Sequence, residues 1–401
     1  MIEVINGGGV TSAAGFSAGA TSAGLKTESG ALDLGILLSD RPATVAGTFT
    51  SNSIKSPSVT VSRERIQKDT SIGLIANSGC ANCSVGDQGY KDAIEMTNLA
   101  AAHVGVRSED LFVASTGMIG VELPMALVRQ NITNVGLSED GGSDFAKSIM
   151  TTDSKHKERA VSFVQDGNTI TVGGAAKGVG MIHPNMATML CFITTDANIN
   201  KIYLQSILTN AVSKSFNMID VDGDQSTNDT VLIFANSAAE APKIKEGSTA
   251  SESFIEAVEY VCIELAKELV RDGEGAQRLI EVTVDGAETT NDARSAAREI
   301  ASSLLVKAMV HGRDPNWGRL VMALGKSGIP LNESKINIFI SNIHIVSGGI
   351  AIPYYKDAVV SAMSADEIQF RISLDVGDAS ATAWGCDLTE EYVIFNSAYS
   401  T

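Results

Sequence analysis

Positive charge, aromatic side chains and long apolar runs are all scarce in this sequence. Its 401 residues include 30 Lys and Arg against 47 Asp and Glu, a formal net charge of −17. A nucleic-acid partner is not expected, because phosphate contacts require clustered Lys and Arg. No apolar run approaches the ~20 residues of a membrane helix, and the first residues lack the basic start and apolar core of a secretory signal. We therefore expect no membrane partner and a cytoplasmic location.

Cysteine and the usual cofactor signatures are scarce as well. Five cysteines are an odd number in a long chain, which favours reduced thiols. Cys80 and Cys83 form one C-x-x-C, but a zinc site would need a second pair or nearby histidines. A redox pair stays open beside the simpler interpretation of two small buried thiols. The chain also lacks G-x-x-x-x-G-K-[ST] and H-E-x-x-H, so neither a metal nor a bound cofactor is expected.

What the sequence does contain is a mixture of strands and helices. Short apolar or alternating runs predict strands at 72–79, 111–117, 229–237, 280–284, 336–340 and 368–374. Apolar residues at three- and four-residue spacing predict helices over 89–104, 202–216, 253–270 and 291–310. Because strands and helices do not alternate strictly, we expect layered α/β or α+β packing, with a smaller, strand-richer unit in the last hundred residues.

One acid-rich stretch, "DVDGDQSTND" at 220–229, invites a metal hypothesis. It lacks the glycine and terminal glutamate spacing of an EF-hand loop. A tight turn capped by Asp and Asn before the strand at 230 explains the same residues better.

The stretch "AAKGVGMIHPNMATMLCFITT" at 175–195 leads flexible residues directly into an apolar strand, with Thr188 at the junction. A threonine hydroxyl is a weak nucleophile unless a base lies beside it. When Thr is the first residue of a chain, its own α-amine can act as that base, with a pKa of about 8. An internal Thr188 reaches that state only if the Ala187–Thr188 bond is cut. A Thr in an apolar strand is otherwise an ordinary β-former, and the residues alone leave both interpretations open.

A resemblance favours the nucleophile. The segment "KGVGMIHPNMATML" closely resembles the signature of the ArgJ family, the ornithine acetyltransferases (glutamate N-acetyltransferases) of the cyclic arginine pathway. Similar motifs follow in family order over essentially the whole chain: "DRPATVAGTFTSN" (40–52), "ANSGCAN" (76–82), "STGMIG" (115–120), "IMTTD" (149–153), "VDGDQSTNDT" (221–230), "DGEGA" (272–276), "GRDPNWGR" (312–319) and "NSAYST" (396–401).

The resemblance implies a fold, a processing step and a reaction. The fold is the layered α-β-β-α sandwich of the DmpA/ArgJ type, an α/β (α+β) class. Self-cleavage at Ala187–Thr188 gives an α chain of residues 1–187 and a β chain of 188–401. Within the β chain, 188–285 completes the main sandwich and about 286–401 forms a smaller C-terminal α+β domain. Thr188 then carries acetyl from N-acetylornithine to glutamate in a ping-pong scheme.

The resemblance also assigns residues. The oxyanion hole falls on Thr116 and Gly117, which would otherwise form a simple turn at a strand end. Substrate binding falls on residues from four other motifs, in which Lys177 can pair with an α-carboxylate and Glu274 with an ammonium. The full substrate-binding set is Thr152, Lys177, Thr188, Glu274, Asn396 and Thr401. Whether Thr151 or Thr152 faces the substrate stays open, and Thr152 is preferred.

Other functions remain as alternatives. A self-processing N-terminal-nucleophile aminopeptidase or amidase would pass the acyl group to water, and a processed binding protein would not turn over at all. Some members of the family also use acetyl-CoA as acetyl donor, and no feature of the sequence decides this. Relatives assemble as α2β2 heterotetramers, which the resemblance implies here too.

Overall fold

The structure, a computed structural model, describes residues 1–183 and 189–398. In the described part of the chain the strands form two sheets. The larger sheet is built from β1 (Glu3–Ile5), β2 (Phe16–Thr21), β3 (Leu34–Phe49), β4 (Thr70–Asn77), β5 (Leu111–Ser115), β6 (Lys157–Gln165), β7 (Asn168–Lys177), β8 (Leu190–Thr195) and β10 (Thr230–Ala235). The smaller sheet is built from β9 (Ile219–Asp220), β11 (Leu279–Ala287), β12 (Asn337–Ile340), β13 (Ile343–Ser347), β14 (Ile350–Ala351), β15 (Glu367–Ser373) and β16 (Ala379–Cys386).

Helices lie between these strands, and five of those described begin at a polar side chain that accepts a backbone N–H of the first turn. The cap of the longest helix is Ser248, whose side chain accepts the backbone N–H of Ser251. The helices of the described residues are α1 (Pro57–Arg65), α2 (Asp87–Val104), α3 (Met125–Asn131), α4 (Gly142–Ser148), α5 (Lys201–Lys214), α6 (Thr249–Arg271), α7 (Thr290–Ser302), α8 (Leu304–His311), α9 (Trp317–Lys326), α10 (Lys356–Ala362) and α11 (Glu390–Ala398).

The larger sheet folds over on itself at the long strand β3. The first part of β3 pairs with β2 and β4, whereas its last part pairs with β10, and its register against β4 shifts between Leu38 and Ala43. The two halves therefore face each other across an apolar layer. Phe112 of β5 meets Phe234 of β10 there, with ring centroids 5.8 Å apart in an edge-to-face arrangement.

Helices cover both outer faces of this folded sheet. α1 and α2 pack over β4 and β5, and α5 and α6 pack over β3, β6 and β7. Alternation along each central strand explains why both faces are apolar: in β8, Phe192 faces the inner layer and Ile193 faces α6 and its neighbours. The result is an α-β-β-α sandwich, so the predicted fold class is confirmed.

The strand order of the smaller sheet is β14-β13-β12-β15-β11-β16-β9. Both α6 and α7 pack against its strands β9, β11 and β16. The sheet includes β9, which precedes the predicted domain boundary near residue 286, and β11, which runs across that boundary. Both sheets share one continuous apolar core through α6. The predicted division at 285/286, like the division into 1–187 and 188–401, stays a prediction.

Two local predictions differ from the structure. The helix predicted over 291–310 is two helices, because Ser303 has an extended backbone (φ −66°, ψ 116°) and its side chain caps α8. The antiparallel pair β6 and β7 was not predicted; its Gly- and Ala-rich end at 173–176 carries little β-propensity.

Two further predictions concern composition. Within residues 1–183 and 189–398 no helix is long and apolar enough to cross a membrane. Cys80 and Cys83 are both buried and free, as the simpler interpretation of the C-x-x-C pair expected.

Candidate active site

A cavity of about 390 Å³ opens where the ends of β5 and β7 meet the loop before β11 and the C-terminal helix α11. The structure brings six of the predicted site residues to its wall. They are Thr116, Gly117, Thr152, Lys177, Glu274 and Asn396. These residues come from five separate motifs, so their convergence is a property of the fold.

Thr116 and Gly117 follow the last residue of β5. The backbone N–H of Thr116 donates to Asn77 O at 3.1 Å, and its Oγ1 accepts a hydrogen bond from the Lys177 ammonium at 3.2 Å. The hydroxyl hydrogen of Thr116 and the neighbouring N–H of Gly117 are thus the candidate donors to a developing oxyanion. Gly117 has φ +125°, and an added Cβ would lie 2.4 Å from the carbonyl carbon of Gly79. Only glycine fits this position.

Lys177 ends β7 and is the cation of the cavity wall. Its ammonium donates to Thr116 Oγ1 and, at 2.9 Å, to Thr151 Oγ1. Burial lowers the pKa of Lys177, and the carboxylates of Asp153 and Glu274 oppose that shift. A carboxylate of a bound amino acid would supply the strong acceptor that this buried cation otherwise lacks at the cavity surface.

An ion-pair network not predicted from the sequence supports Lys177 from behind. Asp153 Oδ1 accepts from the buried ammonium of Lys157 at 2.7 Å and from the backbone N–H of Gly178 at 2.8 Å. Burial acts to raise the pKa of Asp153, but the ammonium groups of Lys157 and Lys177 outweigh it and hold this pKa below its usual value. Lys157 also pairs with Asp272 at 2.7 Å. The network fixes the backbone on either side of the cavity.

Glu274 forms the opposite, acidic wall. Its Oε1 accepts from Thr152 Oγ1 at 2.8 Å, and its Oε2 accepts from Asn396 Nδ2 at 2.9 Å. Thr152 therefore bonds Glu274 while Thr151 bonds Lys177, and both threonines line the cavity. An ammonium bound between these groups would find a carboxylate already held in place on two sides.

The remaining predicted residues cannot be located in the same way. Ala187, Thr188 and Thr401 lie outside the described residues. The described neighbour of Thr188 on the C-terminal side is Met189, whose N–H donates to Asp229 Oδ1 at 2.9 Å. On the other side the structure describes the chain up to His183. The predicted roles of Thr188 and Thr401 stay predictions, as do those of the six residues in the cavity wall.

Two further wall residues were missed. Tyr392 of α11 donates its hydroxyl to Asp222 Oδ2 at 3.2 Å, and both line the cavity. Asp222 lies in the acid-rich stretch interpreted as a capped turn, and Tyr392 lies four residues before the "NSAYST" motif. Their position at the cavity could not be predicted from the neighbouring residues in the sequence, because each bonds a partner 170 residues away.

The chemistry available here is that of polar side chains and backbone donors. No cluster of three or more His, Cys, Asp or Glu side chains suited to a metal ion occurs in the described parts of the chain. The buried ammonium of Lys177 lies on one wall of the cavity and the carboxylate of Glu274 on another, and the candidate oxyanion donors Thr116 and Gly117 lie beside Lys177. This arrangement can bind a zwitterionic amino acid and stabilise a tetrahedral intermediate of acyl transfer.

Comparison with known proteins gives one consistent result. The model of the ArgJ family matches residues 17–401. The "Arginine biosynthesis bifunctional protein ArgJ" of Dehalococcoides mccartyi is 43% identical over 401 residues, 100% of this chain and 99% of its own. The protein of that name from Symbiobacterium thermophilum is 46% identical over 397 residues, 98% of this chain and 99% of its own. The crystal structure of an ArgJ chain from Bacillus halodurans is similar with a TM-score of 0.51 and 39% identity, covering 52% of this chain and 98% of that one.

Proposed function

This chain belongs to the ArgJ family, and we propose that it transfers acetyl from N2-acetyl-L-ornithine to L-glutamate through an acetyl-Thr188 intermediate, after cutting itself at Ala187–Thr188. It is an acyltransferase of arginine biosynthesis. The observation that carries the substrate assignment is that the buried cation Lys177 and the carboxylate of Glu274 line the same cavity. N-Acetylornithine and glutamate are amino acids of similar length, and each brings a carboxylate and an amino function.

The proposed self-cleavage proceeds by an acyl shift. The Thr188 hydroxyl oxygen attacks the carbonyl carbon of Ala187, and the hydroxyl proton passes to the Thr188 nitrogen. The C–N bond breaks, leaving Ala187 as an ester on the Thr188 oxygen. Water hydrolyses this ester to the Ala187 carboxylate, and the Thr188 hydroxyl is restored beside a free α-amine.

In the proposed transfer reaction, that α-amine takes the hydroxyl proton as Thr188 attacks the acetyl carbonyl of acetylornithine. The tetrahedral oxyanion accepts from the Thr116 hydroxyl and the Gly117 N–H, and the proton passes to the departing α-amine of ornithine. Glutamate then attacks the acetyl ester with its own α-amine, and Thr188 recovers its proton. The carboxylate of either substrate pairs with Lys177, and the cationic δ-ammonium of acetylornithine is suited to Glu274.

The length of a solved relative supports the processing step. The chain from Bacillus halodurans is matched over 98% of its length but covers 52% of this chain. Residues 188–401 would make up 214 of 401 residues, a closely similar share. The proposed assembly is an α2β2 heterotetramer of such cleaved chains in the cytoplasm, with no cofactor. Acetyl-CoA as a second acetyl donor belongs to the same proposal and is decided by assay.

Intact mass under denaturing conditions tests the proposal, with the wild type beside Thr188→Ala. The wild type is expected as two fragments of residues 1–187 and 188–401, and the variant as one chain. The cleaved protein is then assayed for acetyl transfer from acetylornithine to glutamate, to water and with acetyl-CoA as donor. Acetate release without acetylglutamate would favour the aminopeptidase or amidase alternative. An uncut wild type would remove the base from the mechanism and contradict the proposal.

A further inference from the structure

The acid-rich segment 220–229 contacts the chain on both sides of the proposed cleavage bond. From the residues alone we expected this segment to form a capped turn. Three of their carboxylates instead hold backbone or side-chain groups of residues 181–183 and of Met189. Residues 184–188, which include the Ala187–Thr188 bond, are the covalent connection between these two described flanks.

The upstream flank is held by Asp222. Its Oδ2 accepts from the N–H of Met181 at 2.6 Å, and its Oδ1 accepts from the N–H of Ile182 at 3.0 Å. Met181 has φ +52°, a left-handed conformation that is unfavourable for a side chain other than glycine. The hydrogen bonds from the consecutive N–H groups of Met181 and Ile182 to the Asp222 carboxyl group stabilise this conformation. Asp222 therefore stabilises the left-handed turn of the backbone at Met181.

The next residue is held as well. Asp220 Oδ2 lies 2.9 Å from His183 Nδ1, and Asp220 itself pairs with the fully buried ammonium of Lys307 at 3.1 Å. The backbone adds a further bond, in which Val221 N donates to Ile182 O at 2.9 Å. Residues 181–183, the last described before the proposed bond, are thus hydrogen-bonded to residues 220–222 of the acid-rich segment.

The downstream flank is held by Asp229. This fully buried residue accepts the N–H of Met189 at Oδ1, 2.9 Å away, and the next residue, Thr230, donates its N–H to Met189 O at 3.2 Å. Met189 leads into β8, which pairs in parallel with β10 from Leu190 and Thr230 onward. The bond to Asp229 thus fixes Met189, the residue directly after Thr188 and one residue before the pairing of β8 with β10 begins.

We propose that Asp222 and Asp229 are positioning residues for the self-cleavage, which fix the two ends of the segment that contains the Ala187–Thr188 bond. This inference rests on the proposed function. The acyl shift requires the Thr188 hydroxyl to reach the Ala187 carbonyl carbon in a near-attack geometry, and free ends would make that geometry rare. Asp222 and Asp229 are seven residues apart in one short segment, so this segment contacts both ends.

A positioning role requires a hydrogen-bond acceptor at residues 222 and 229, whereas proton transfer requires a group that can ionise, so substitutions can separate the two roles. Asp229→Asn keeps an oxygen that accepts the Met189 N–H, whereas Asp229→Ala removes the acceptor. Both oxygens of Asp222 accept backbone N–H groups, so Asp222→Asn can satisfy only one of them. Positioning therefore predicts slow cleavage for Asp222→Asn and Asp229→Ala and near-normal cleavage for Asp229→Asn.

Asp196 provides the matched control. It is buried, follows the far end of β8, and accepts the backbone N–H groups of Thr171 at 2.8 Å and Ala14 at 3.0 Å. Asp196→Ala removes bonds of the same kind, which come from Thr171 of β7 and from Ala14 and not from residues 181–183 or Met189. Its loss of thermal stability is expected to match that of Asp229→Ala, while its cleavage rate is expected to stay within about twofold of the wild type.

The experiment follows fragment formation by intact mass after a pulse of cell-free synthesis, with circular dichroism on each purified chain. We expect Asp222→Asn and Asp229→Ala to be cleaved at least about tenfold more slowly than wild type, a change of about 1.4 kcal/mol in the barrier. Asp229→Asn should keep the wild-type pH dependence of cleavage. If Asp229→Ala does not fold, Asp222→Asn decides alone.

Three outcomes would overturn the inference: cleavage of Asp222→Asn at the rate of Asp196→Ala, equal loss in Asp229→Asn and Asp229→Ala, or a shifted pH profile in Asp229→Asn. The last two would assign Asp229 to proton transfer instead. An uncut wild type would contradict the proposed function itself, so the two failures are distinguishable.

Discussion

At the scale of single residues, the candidate site depends on charges that are buried and paired. Lys177 is 2% exposed, and the carboxylates of Asp153, behind it, and Glu274, on the cavity wall, favour its charged form. Removing one partner of such a set leaves another charge buried without compensation, which is more damaging than the loss of one surface ion pair. Lys157, also 2% exposed, is part of the same balance through Asp153. Substrate binding and local stability are therefore coupled here.

Two variants separate the energetic cost of the close backbone contact at Gly117 from the cost of its positive φ angle. Gly117→Ala meets both problems, since φ is +125° and the new Cβ would lie 2.4 Å from Gly79. Gly120, in the same loop, has φ +80° but open space around its Cβ position. We expect Gly120→Ala to cost about 1 kcal/mol in the free energy of unfolding and Gly117→Ala about 1–3 kcal/mol more, measured by urea unfolding.

The same pair of variants should differ in activity. Gly117→Ala displaces the proposed oxyanion donors, so its acetyl transfer is expected to fall by about a hundredfold. Gly120→Ala should retain most of the activity once it has folded. Equal stability and equal activity of the two variants would show that the backbone contact with Gly79 is unimportant.

The residues found and missed follow from where their partners lie in the chain. Thr116, Lys177 and Glu274 were found through motifs that resemble a family. Asp153 was missed although it ends the "IMTTD" motif, because its partner Lys157 begins β6 and its partner Gly178 directly follows β7, and the pairing of these two strands was not predicted. A side chain that acts through hydrogen bonds to a distant backbone leaves no local pattern.

At the scale of elements, α11 is unusual because none of its residues is buried. Polar contacts hold it instead. Tyr392 bonds Asp222, Asn396 bonds Glu274, and Glu390 pairs with His311 at 3.1 Å. Just before the helix, Thr389 Oγ1 donates to Gly275 O at 2.7 Å. A helix held in this way contributes little to global stability but covers one side of the cavity, so its opening is expected to cost much less than global unfolding.

Tyr392→Phe tests this description of α11. Burial and Asp222 raise the pKa of the Tyr392 phenol, so at neutral pH the group is a hydrogen-bond donor that the variant lacks. One hydrogen bond of about 1 kcal/mol corresponds to roughly a fivefold rise in KM for acetylornithine. Hydrogen exchange of residues 390–398 should accelerate, while the free energy of global unfolding stays nearly constant.

A matched control lies on the same helix. Val393 is 63% exposed, and Val393→Ala removes side-chain atoms without removing a bond to the cavity. Its KM and exchange rates should equal those of the wild type. If Tyr392→Phe lowers global stability as much as it accelerates local exchange, α11 is part of the cooperative core. Because Tyr392→Phe leaves both backbone bonds of Asp222 intact, it should not slow self-cleavage.

Element prediction succeeded where periodicity is strong. α2, α5 and α6 lie within a few residues of the predicted ranges, as do β4, β5 and β10. The break at Ser303 was missed because apolar residues continue at helical spacing through it, and only a side-chain cap marks the interruption. Apolar periodicity records which face is buried, not whether the backbone is continuous.

At the scale of the whole molecule, the sandwich depends on one strand. Residues 34–38 of β3 pair with β4 in one layer, and residues 44–49 pair with β10 in the other. The register of β3 against β4 shifts between these two parts, at "SDRPA" (39–43). These five residues do not by themselves predict that shift. Mixed strands and helices predicted a layered fold, and the resemblance supplied which one. The nonlocal pairing of β8 with β10, across thirty-four intervening residues, is beyond periodicity.

Buried carboxyl groups divide into two classes that oppose each other in the pH dependence of stability. Ion pairs hold the pKa values of Asp153 and Glu268 below their usual values against the effect of burial. Burial raises the pKa values of Asp196, Asp222 and Asp229, whose bonds are mainly to backbone N–H groups. The first class favours the folded state above the unfolded pKa of about 4, and its contribution is lost as pH falls. The second class behaves in the opposite sense.

Asp196 isolates the second class, because it is buried far from the proposed chemistry. Its folded pKa is raised, so its contribution to stability is fully present below the unfolded pKa of about 3.9 and is lost as pH rises through the folded pKa. Asp196→Asn cannot ionise. The unfolding free energy of the parent minus that of the variant should therefore fall as pH increases above about 4 and then level off.

Urea unfolding between pH 4 and pH 8 measures this difference, with Thr188→Ala as the parent so that each sample is a single chain. The same substitution at Asp144, which pairs with Lys147 at the surface, controls for the exchange of Asp for Asn at an exposed position. A difference that rises with pH for Asp196→Asn would mean that its two backbone bonds stabilise the carboxylate more than burial penalises it. Asp222 and Asp229, which are bonded in the same way, would then hold the flanks of the proposed cleavage bond as ionised groups at neutral pH.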